Sequence, residues 1–236
     1  MRIIADVHTH TLASGHAYGT IREMAQAAAL IGLKILGLTE HAPGIPGTVD
    51  PFYYLNLGVV PRELYGVRIF HGSEINVMND GTLSLEEEFI GKLDYAIAGI
   101  HTSCYEDAGI EKNTENVLSC MAHPKVKIIS HPDDDHTPLH YERLVKGALE
   151  YGTALEINNS SLIKKDIRLN CYENYRTMLG WCRQSGVPVV VSSDAHDPSG
   201  VGRFDLAIDL LEEIGFPESL VLNTDQQKLL EFLLAE

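Results

Sequence analysis

Short apolar, β-branched runs recur along the chain, each followed by polar residues and then by a stretch of helical periodicity. The runs predict strands over 3–7, 35–39, 67–74, 95–100, 126–130, 154–157 and 188–193. Between them, Thr20 caps a helix that runs to about 31, with Glu23 at the capping-box position. Ser84 opens a short acidic helix containing Glu86, Glu87 and Glu88, and further helices are predicted over 114–122, 141–151, 172–185, 204–214 and 225–235. A loop rich in proline and glycine (Pro43, Gly44, Pro46, Gly47, Pro51) is long enough to suggest an active-site loop. Seven strands alternate with helices, with no linker, low-complexity tract or internal repeat, which argues for parallel α/β architecture in one domain over 1–236.

Composition narrows the setting. With 44% hydrophobic and 22% charged residues, the 236-residue chain is an ordinary globular one. Its 18 Lys+Arg stand against 33 Asp+Glu, a net charge of −15, which argues against a main affinity for nucleic-acid phosphates or anionic lipid. Cys104, Cys120, Cys171 and Cys182 form no C-x-x-C pair and are too sparse for a disulfide scaffold. The first residues lack the apolar region of a signal peptide, and the most apolar stretch, 25–38, is interrupted by Gln26, Gly32, Lys34 and Gly37 and cannot span a bilayer. A soluble protein in a reducing, cytoplasmic setting is expected. The unusual feature is 11 histidines beside 18 fixed cations.

Those histidines fall at strand ends, where barrel enzymes carry their reactive groups. His8 and His10, two residues apart, leave one face of extended backbone at the end of the first strand, and His16 follows in the next loop. His41 closes the second strand, Glu74 the third, His101 the fourth and His131 the fifth; Asp194 and His196 close the seventh. Imidazole and carboxylate without thiolate suit zinc, iron or manganese in an open catalytic site. Nine candidate ligands are too many for one ion and suit two or three.

Other residues have plainer readings. His71 has opposite parity to Glu74 and is expected to face the helical layer, and His123, before Pro124, to be a capping or surface group. His136 and His140 lie beyond Asp133-Asp134-Asp135, a run that reads as a solvated loop with a supporting role left open by its closeness to His131. Arg168 and Arg203 are candidate phosphate clamps, since guanidinium offers bidentate donors, with surface ion pairing as the alternative. Glu156 and Asn158 share one strand face and are expected to support ligands or touch substrate, without binding metal themselves.

The blocks Asp6-Val7-His8-Thr9-His10-Thr11, His16, Thr39-Glu40-His41, Gly72-Ser73-Glu74, His101, Ser130-His131-Pro132, Leu155-Glu156-Ile157-Asn158-Asn159-Ser160 and Ser193-Asp194-Ala195-His196 run in order over nearly the whole chain. Together they resemble the PHP (polymerase and histidinol phosphatase) family, in particular its compact stand-alone YcdX-type phosphatases. The resemblance implies a distorted (β/α)7 TIM-like barrel and a trinuclear centre. By position, His8, His10, Glu74 and Asp194 would hold one metal, Glu74 would bridge to a second held by His101 and His131, and His16, His41 and His196 would hold a third. Zinc is favoured, with manganese or iron as the other candidates. One departure is Glu40, where the family commonly has Asp; the extra methylene would rearrange the hydrogen bonds that orient a metal-bound imidazole.

The chemistry expected is hydrolysis of small phosphate monoesters by a metal-activated hydroxide positioned by Glu74, with no Ser or Cys nucleophile. Within the same family, a 3'-5' exonuclease and histidinol phosphatase are alternatives; the first is disfavoured by the absence of an attached polymerase and of a basic stripe. A non-catalytic metal-binding regulatory module is the alternative outside catalysis, disfavoured because all nine matching positions carry metal-competent side chains. The sequence leaves the oligomeric state open.

Overall fold

In a computed structural model, described over residues 1–235, every apolar run becomes a strand of one sheet. The strands are β1 (Ala5–Thr9), β2 (Ile35–His41), β3 (Glu63–Leu64), β4 (Val67–Asn76), β5 (Tyr95–Gly99), β6 (Val126–Ile129), β7 (Ala154–Asn158) and β8 (Val189–Ser192). The helices are α1 (Ile21–Leu30), α2 (Phe52–Leu55), α3 (Glu87–Ile90), α4 (Ile110–Met121), α5 (Tyr141–Tyr151), α6 (Asn159–Ile163), α7 (Cys171–Ser185), α8 (Asp205–Glu213) and α9 (Gln226–Leu233). Sheet order is β1-β2-β4-β5-β6-β7-β8, all parallel, and the strands curl into a nearly closed barrel clothed by helices. No helix among the described residues is long and apolar enough to cross a membrane.

Three local differences from the expected elements have physical causes. β3 is an eighth, antiparallel strand, joined to β4 by Tyr65-Gly66 with both residues at positive φ, a two-residue hairpin turn that Tyr at its first position hides. α3 begins after Glu86 rather than at Ser84, because the Ser84 hydroxyl is engaged with the Asn76 side chain at 2.8 Å. α4 begins at Ile110, so Thr114 sits one turn inside it and donates back to the Ile110 carbonyl at 2.6 Å instead of capping. The capping box of Thr20 and Glu23 forms as expected.

The barrel interior divides along its length. At the end where strands begin, Ala5, Val7, Ile35, Phe70, Tyr95, Ile97, Ile128, Ala154 and Val190 form one buried cluster, closed from below by Leu222, Leu229 and Leu233. Gly37 leaves room for the Tyr95 ring, whose hydroxyl would lie 2.0 Å from a Cβ there and donates to the Val7 carbonyl at 2.5 Å. Among the described residues, the seam between β8 and β1 is joined by the isolated Thr9–Ala195 bridge rather than by a ladder. Below it, buried Asn223 spans the gap by donating to the Ala5 and Val191 carbonyls and accepting from the Val191 N–H.

A bulge in β1 decides what the other end contains. Asp6 pairs with Leu36 but Thr9 with Leu38, so three steps on β1 oppose two on β2. Val7 therefore joins the apolar interior while the next residue, His8, also turns inward, toward Glu74 and Glu156.

Candidate metal centre

The expected residues gather at the C-terminal ends of the strands. His8 comes from within β1 and His10 lies one residue beyond it, His41 is at the last position of β2 and Glu74 within β4; His101, His131 and Asp194 each lie two residues beyond β5, β6 and β8. His131 (φ 31°) and Asp194 (φ 53°) are non-glycine residues in left-handed backbone, a conformation costing on the order of 1–3 kcal/mol each and typical of functional turns. Backbone bonds lock the second of these turns: the Asp194 N–H donates to the His8 carbonyl at 3.0 Å, and the His10 N–H to the Ala195 carbonyl at 2.9 Å.

Glu74 is the hub, fully enclosed. Its Oε1 accepts from Ser130 Oγ at 2.7 Å and lies 2.7 Å from His131 Nε2 and 3.3 Å from His101 Nε2. Its Oε2 faces His41 Nδ1 at 3.0 Å, His8 Nε2 at 3.3 Å and His10 Nε2 at 3.5 Å. A Cβ at Gly99 would stand 2.1 Å from Ser130 Oγ, so glycine there makes room for the Ser130–Glu74 bond. Asp194 Oδ1 completes the first group at 3.3 Å from His10 Nε2 and 3.7 Å from His8 Nε2. At the open side, His196 Nε2 lies 3.1 Å from His16 Nε2, and the His41 ring stacks on His10 and His16 at 4.2 and 4.9 Å.

The donor atoms overlap rather than separating into the three expected groups. Sets close enough to share one ion are His8, His10 and Asp194; His10, His41 and His196; and His41, Glu74 and His101. His41 belongs to two of them because it stacks against His10 while reaching Glu74, so it stands nearer the middle of the centre than expected.

Three observations test whether cations fit. Glu74 Oε2, His41 Nδ1 and both His101 nitrogens are buried without a hydrogen bond, although they crowd one another. Such groups are costly to enclose unless something positive completes them. His8 Nδ1 is taken by Glu156 Oε1 at 2.7 Å, which turns His8 Nε2 toward His10 Nε2 at 3.0 Å; a proton or a cation must lie between these nitrogens. Electrostatics favours positive charge there. Burial depresses the His8 imidazole, yet Glu156, Glu74 and Asp194 together raise its pKa well above the usual range. Burial would likewise raise the acids, but the imidazoles hold Glu74 and Asp194 well below the carboxylate range, while His10 is lowered by burial and by His41. The donor set fits divalent cations of the zinc, manganese and iron type.

The PHP domain family matches residues 6–160. The chain belongs to that family. A protein from Clostridium novyi (strain NT) named as a probable phosphatase is 42% identical over 234 residues, covering 99% of this chain and 95% of that one. One of the same name from Acetivibrio thermocellus is 40% identical over 235 residues, covering 99% and 96%. Among solved structures, histidinol phosphate phosphatase from Lactococcus lactis, determined with zinc, L-histidinol and phosphate, superposes with a TM-score of 0.61 at 18% identity over 90% of this chain and 94% of that one. At that identity the likeness shows the shared fold. An archaeal ribonuclease P protein shares it at a TM-score of 0.59 and 16% identity, covering 96% and 87%.

The remaining expectations for this PHP domain divide. Glu156 touches two of the candidate ligands: besides His8 Nδ1, it accepts the His131 N–H at 2.8 Å, and Asn158 Nδ2 donates to it at 3.1 Å. Glu40 does not touch the His41 ring; it binds Thr11 and Ser14. His71 faces away from Glu74, His123 pairs with Glu87, and His140 pairs with Glu111. The acidic run is not simply solvated. Asp133 is fully buried, and its carboxylate accepts from Arg168 Nε and Nη2 at 2.9 and 2.8 Å, from Ser161 and from Tyr175. Arg168 Nη2 also donates to the His131 carbonyl at 2.9 Å, so two of its three nitrogens hold protein rather than standing free as a clamp. Arg203 is exposed and lies outside the lining of the cavity beside the centre. That cavity, about 790 Å³, is bordered by His41, His101, His131, Lys164 and Arg168, with Ile45 from the Pro/Gly loop. Nothing in the local sequence marked Ser14 or the burial of Asp133, whose partners lie 28 to 42 residues away.

Proposed function

We propose that this chain is a metal-dependent phosphatase of small phosphate monoesters, with His8, His10, His16, His41, Glu74, His101, His131, Asp194 and His196 holding three divalent ions, zinc foremost. The observation that carries this is Glu74 Oε2, enclosed without a hydrogen bond among three imidazole nitrogens. Full-length relatives named probable phosphatases, at 40 and 42% identity, support the reaction class. Bound there, divalent ions would supply Lewis-acid stabilisation of phosphoryl oxygens and water of lowered pKa.

The chain's own residues supply placement. Glu74 divides its two oxygens between the His8–His10–His41 side and the His101–His131 side, which suits a bridging ligand. Ser130 and Glu156 hold Glu74, His8 and the His131 backbone in place from behind. The cavity volume falls within the roughly 300–1,000 Å³ typical of small-ligand sites. On its wall, Lys164 and the Nη1 of Arg168, the nitrogen left over from Asp133 and His131, would meet substrate anion; no such role is assigned to exposed Arg203. Burial pushes the Cys120 and Cys182 thiols up to about 12, which makes these two poor nucleophiles.

Metal analysis of untagged protein, joined to phosphate release on the same preparation, tests the assignment. The panel holds nucleotides, sugar phosphates and histidinol phosphate, with labelled single-stranded DNA in parallel. At least two ions per chain and release from monoesters without DNA degradation are expected. Fewer than two ions under saturating conditions, with no phosphate released, overturns it.

A further inference from the structure

Behind the centre lies a second, fully enclosed polar unit made of Thr11, Ser14 and Glu40. The Glu40 carboxylate accepts the Thr11 N–H at 3.0 Å, the Thr11 hydroxyl at 2.6 Å and the Ser14 hydroxyl at 2.6 Å. Ser14 Oγ in turn receives the His41 N–H at 3.0 Å and lies 2.9 Å from His10 Nδ1. A serine hydroxyl has one proton and two lone pairs. The proton goes to Glu40, which offers only acceptors, and one lone pair is taken by the His41 backbone. The last lone pair can bond His10 only if the ring proton sits on Nδ1.

We propose that Glu40 and Ser14 act together as positioning residues that fix the tautomer of His10. Glu40 keeps Ser14 an acceptor toward the imidazole, Ser14 holds the proton on His10 Nδ1, and His10 Nε2 is left with its lone pair directed at His8 and Asp194. A carboxylate usually performs this service by touching the imidazole directly; here a serine is interposed, and the same hydroxyl pins the backbone of His41. The tautomer is independent of the proposed phosphatase reaction, whereas its consequence for metal affinity rests on His10 being a ligand.

Nitrogen-15 spectra of the imidazoles in metal-free protein, with His10 assigned through a His10→Ala control, read the tautomer directly. Wild type is expected to carry the proton on Nδ1. Glu40→Gln is expected to keep it there, since an amide oxygen can still accept from Thr11 N–H and Ser14 while its NH2 group meets the Thr11 hydroxyl. Glu40→Met removes the acceptor, frees the Ser14 proton for His10 and is expected to move the ring proton to Nε2. Affinity for Mn2+ should then fall about tenfold or more in Glu40→Met and stay near wild type in Glu40→Gln. Where Glu40→Met does not fold, Ser14→Ala takes its place, with loss of the single pinned tautomer expected. A wild-type proton on Nε2, or Glu40→Met or Ser14→Ala retaining the wild-type tautomer and Mn2+ affinity, overturns the assignment. Should wild type hold the Nδ1 proton yet bind no metal and release no phosphate, the proposed function falls and the positioning role stands.

Discussion

The two ends of one barrel are built from the same strands and obey opposite rules. Where the strands begin, inward positions carry Ala5, Ile35, Phe70, Tyr95, Ile97 and Val190, packed against α9. A few residues further along, the inward positions carry His8, Glu74 and Glu156, and the bulge in β1 is what brings His8 to that face. The apolar end gains from burial, at about 25 cal/mol per Å² of apolar surface removed from water. At the polar end, imidazoles and carboxylates are enclosed with donors and acceptors left unbonded, and two turns are left-handed. One end therefore supplies the stability that lets the other remain short of positive charge, so changes at the two ends should separate stability from function.

The largest contrast is expected from Glu74→Gln. Phosphate release should fall on the order of a thousandfold or more, together with bound metal, while the metal-free protein, losing a charge that the buried imidazoles favour, unfolds somewhat more readily than wild type. Parallel metal analysis, phosphate assays and urea unfolding check this; a fully metallated, active variant would break the comparison. Ile97→Ala at the apolar end should do the reverse, costing about 2–5 kcal/mol of unfolding free energy by opening a cavity, with metal stoichiometry per folded chain retained.

Between these extremes lies Glu156→Gln. Both glutamate oxygens accept from donors, on His8, His131 and Asn158, so an amide faces one donor with its own NH2 group whichever way it turns. Affinity for Zn2+ or Mn2+, measured by competition with a chelator, should fall about 10–100-fold with little change in fold.

His71, buried on the outer face of β4, separates the cost of enclosing a histidine from the effects of metal. Burial, and then Arg62, lower its pKa to about 4. The folded state thus prefers the neutral ring, whereas the unfolded chain binds a proton near pH 6.5. Stability from this group is present above about 6.5, is lost progressively as pH falls toward 4 and changes no further below that. Urea midpoints followed over that interval should decline less steeply in His71→Gln than in wild type, an effect smaller than those above.

Legibility followed the range of the interactions. The strands, the Thr20–Glu23 capping box and the gathering of His and carboxylate groups at strand ends were readable because each depends on neighbours along the chain. The start of α4 was misplaced because Thr114 looks like a cap and instead bonds back within the helix. Arg168 borders the cavity beside the centre, but its pairing with Asp133, 35 residues away, which engages two of its nitrogens, was not visible along the chain. Glu40 stood out as a departure, yet its carboxylate meets Ser14, 26 residues earlier, rather than the adjacent His41 ring.

By itself the sequence determined the α/β alternation, the family and the residues able to bind metal, because strand periodicity and side-chain chemistry are local properties. Tertiary structure alone decided how those residues are shared. The bulge that turns His8 inward, the stacking that centres His41 and the bond from His8 to Glu156, 148 residues away, all arise from strands meeting around a closed interior. Register and parity between distant strands set these contacts, and no single segment carries that information.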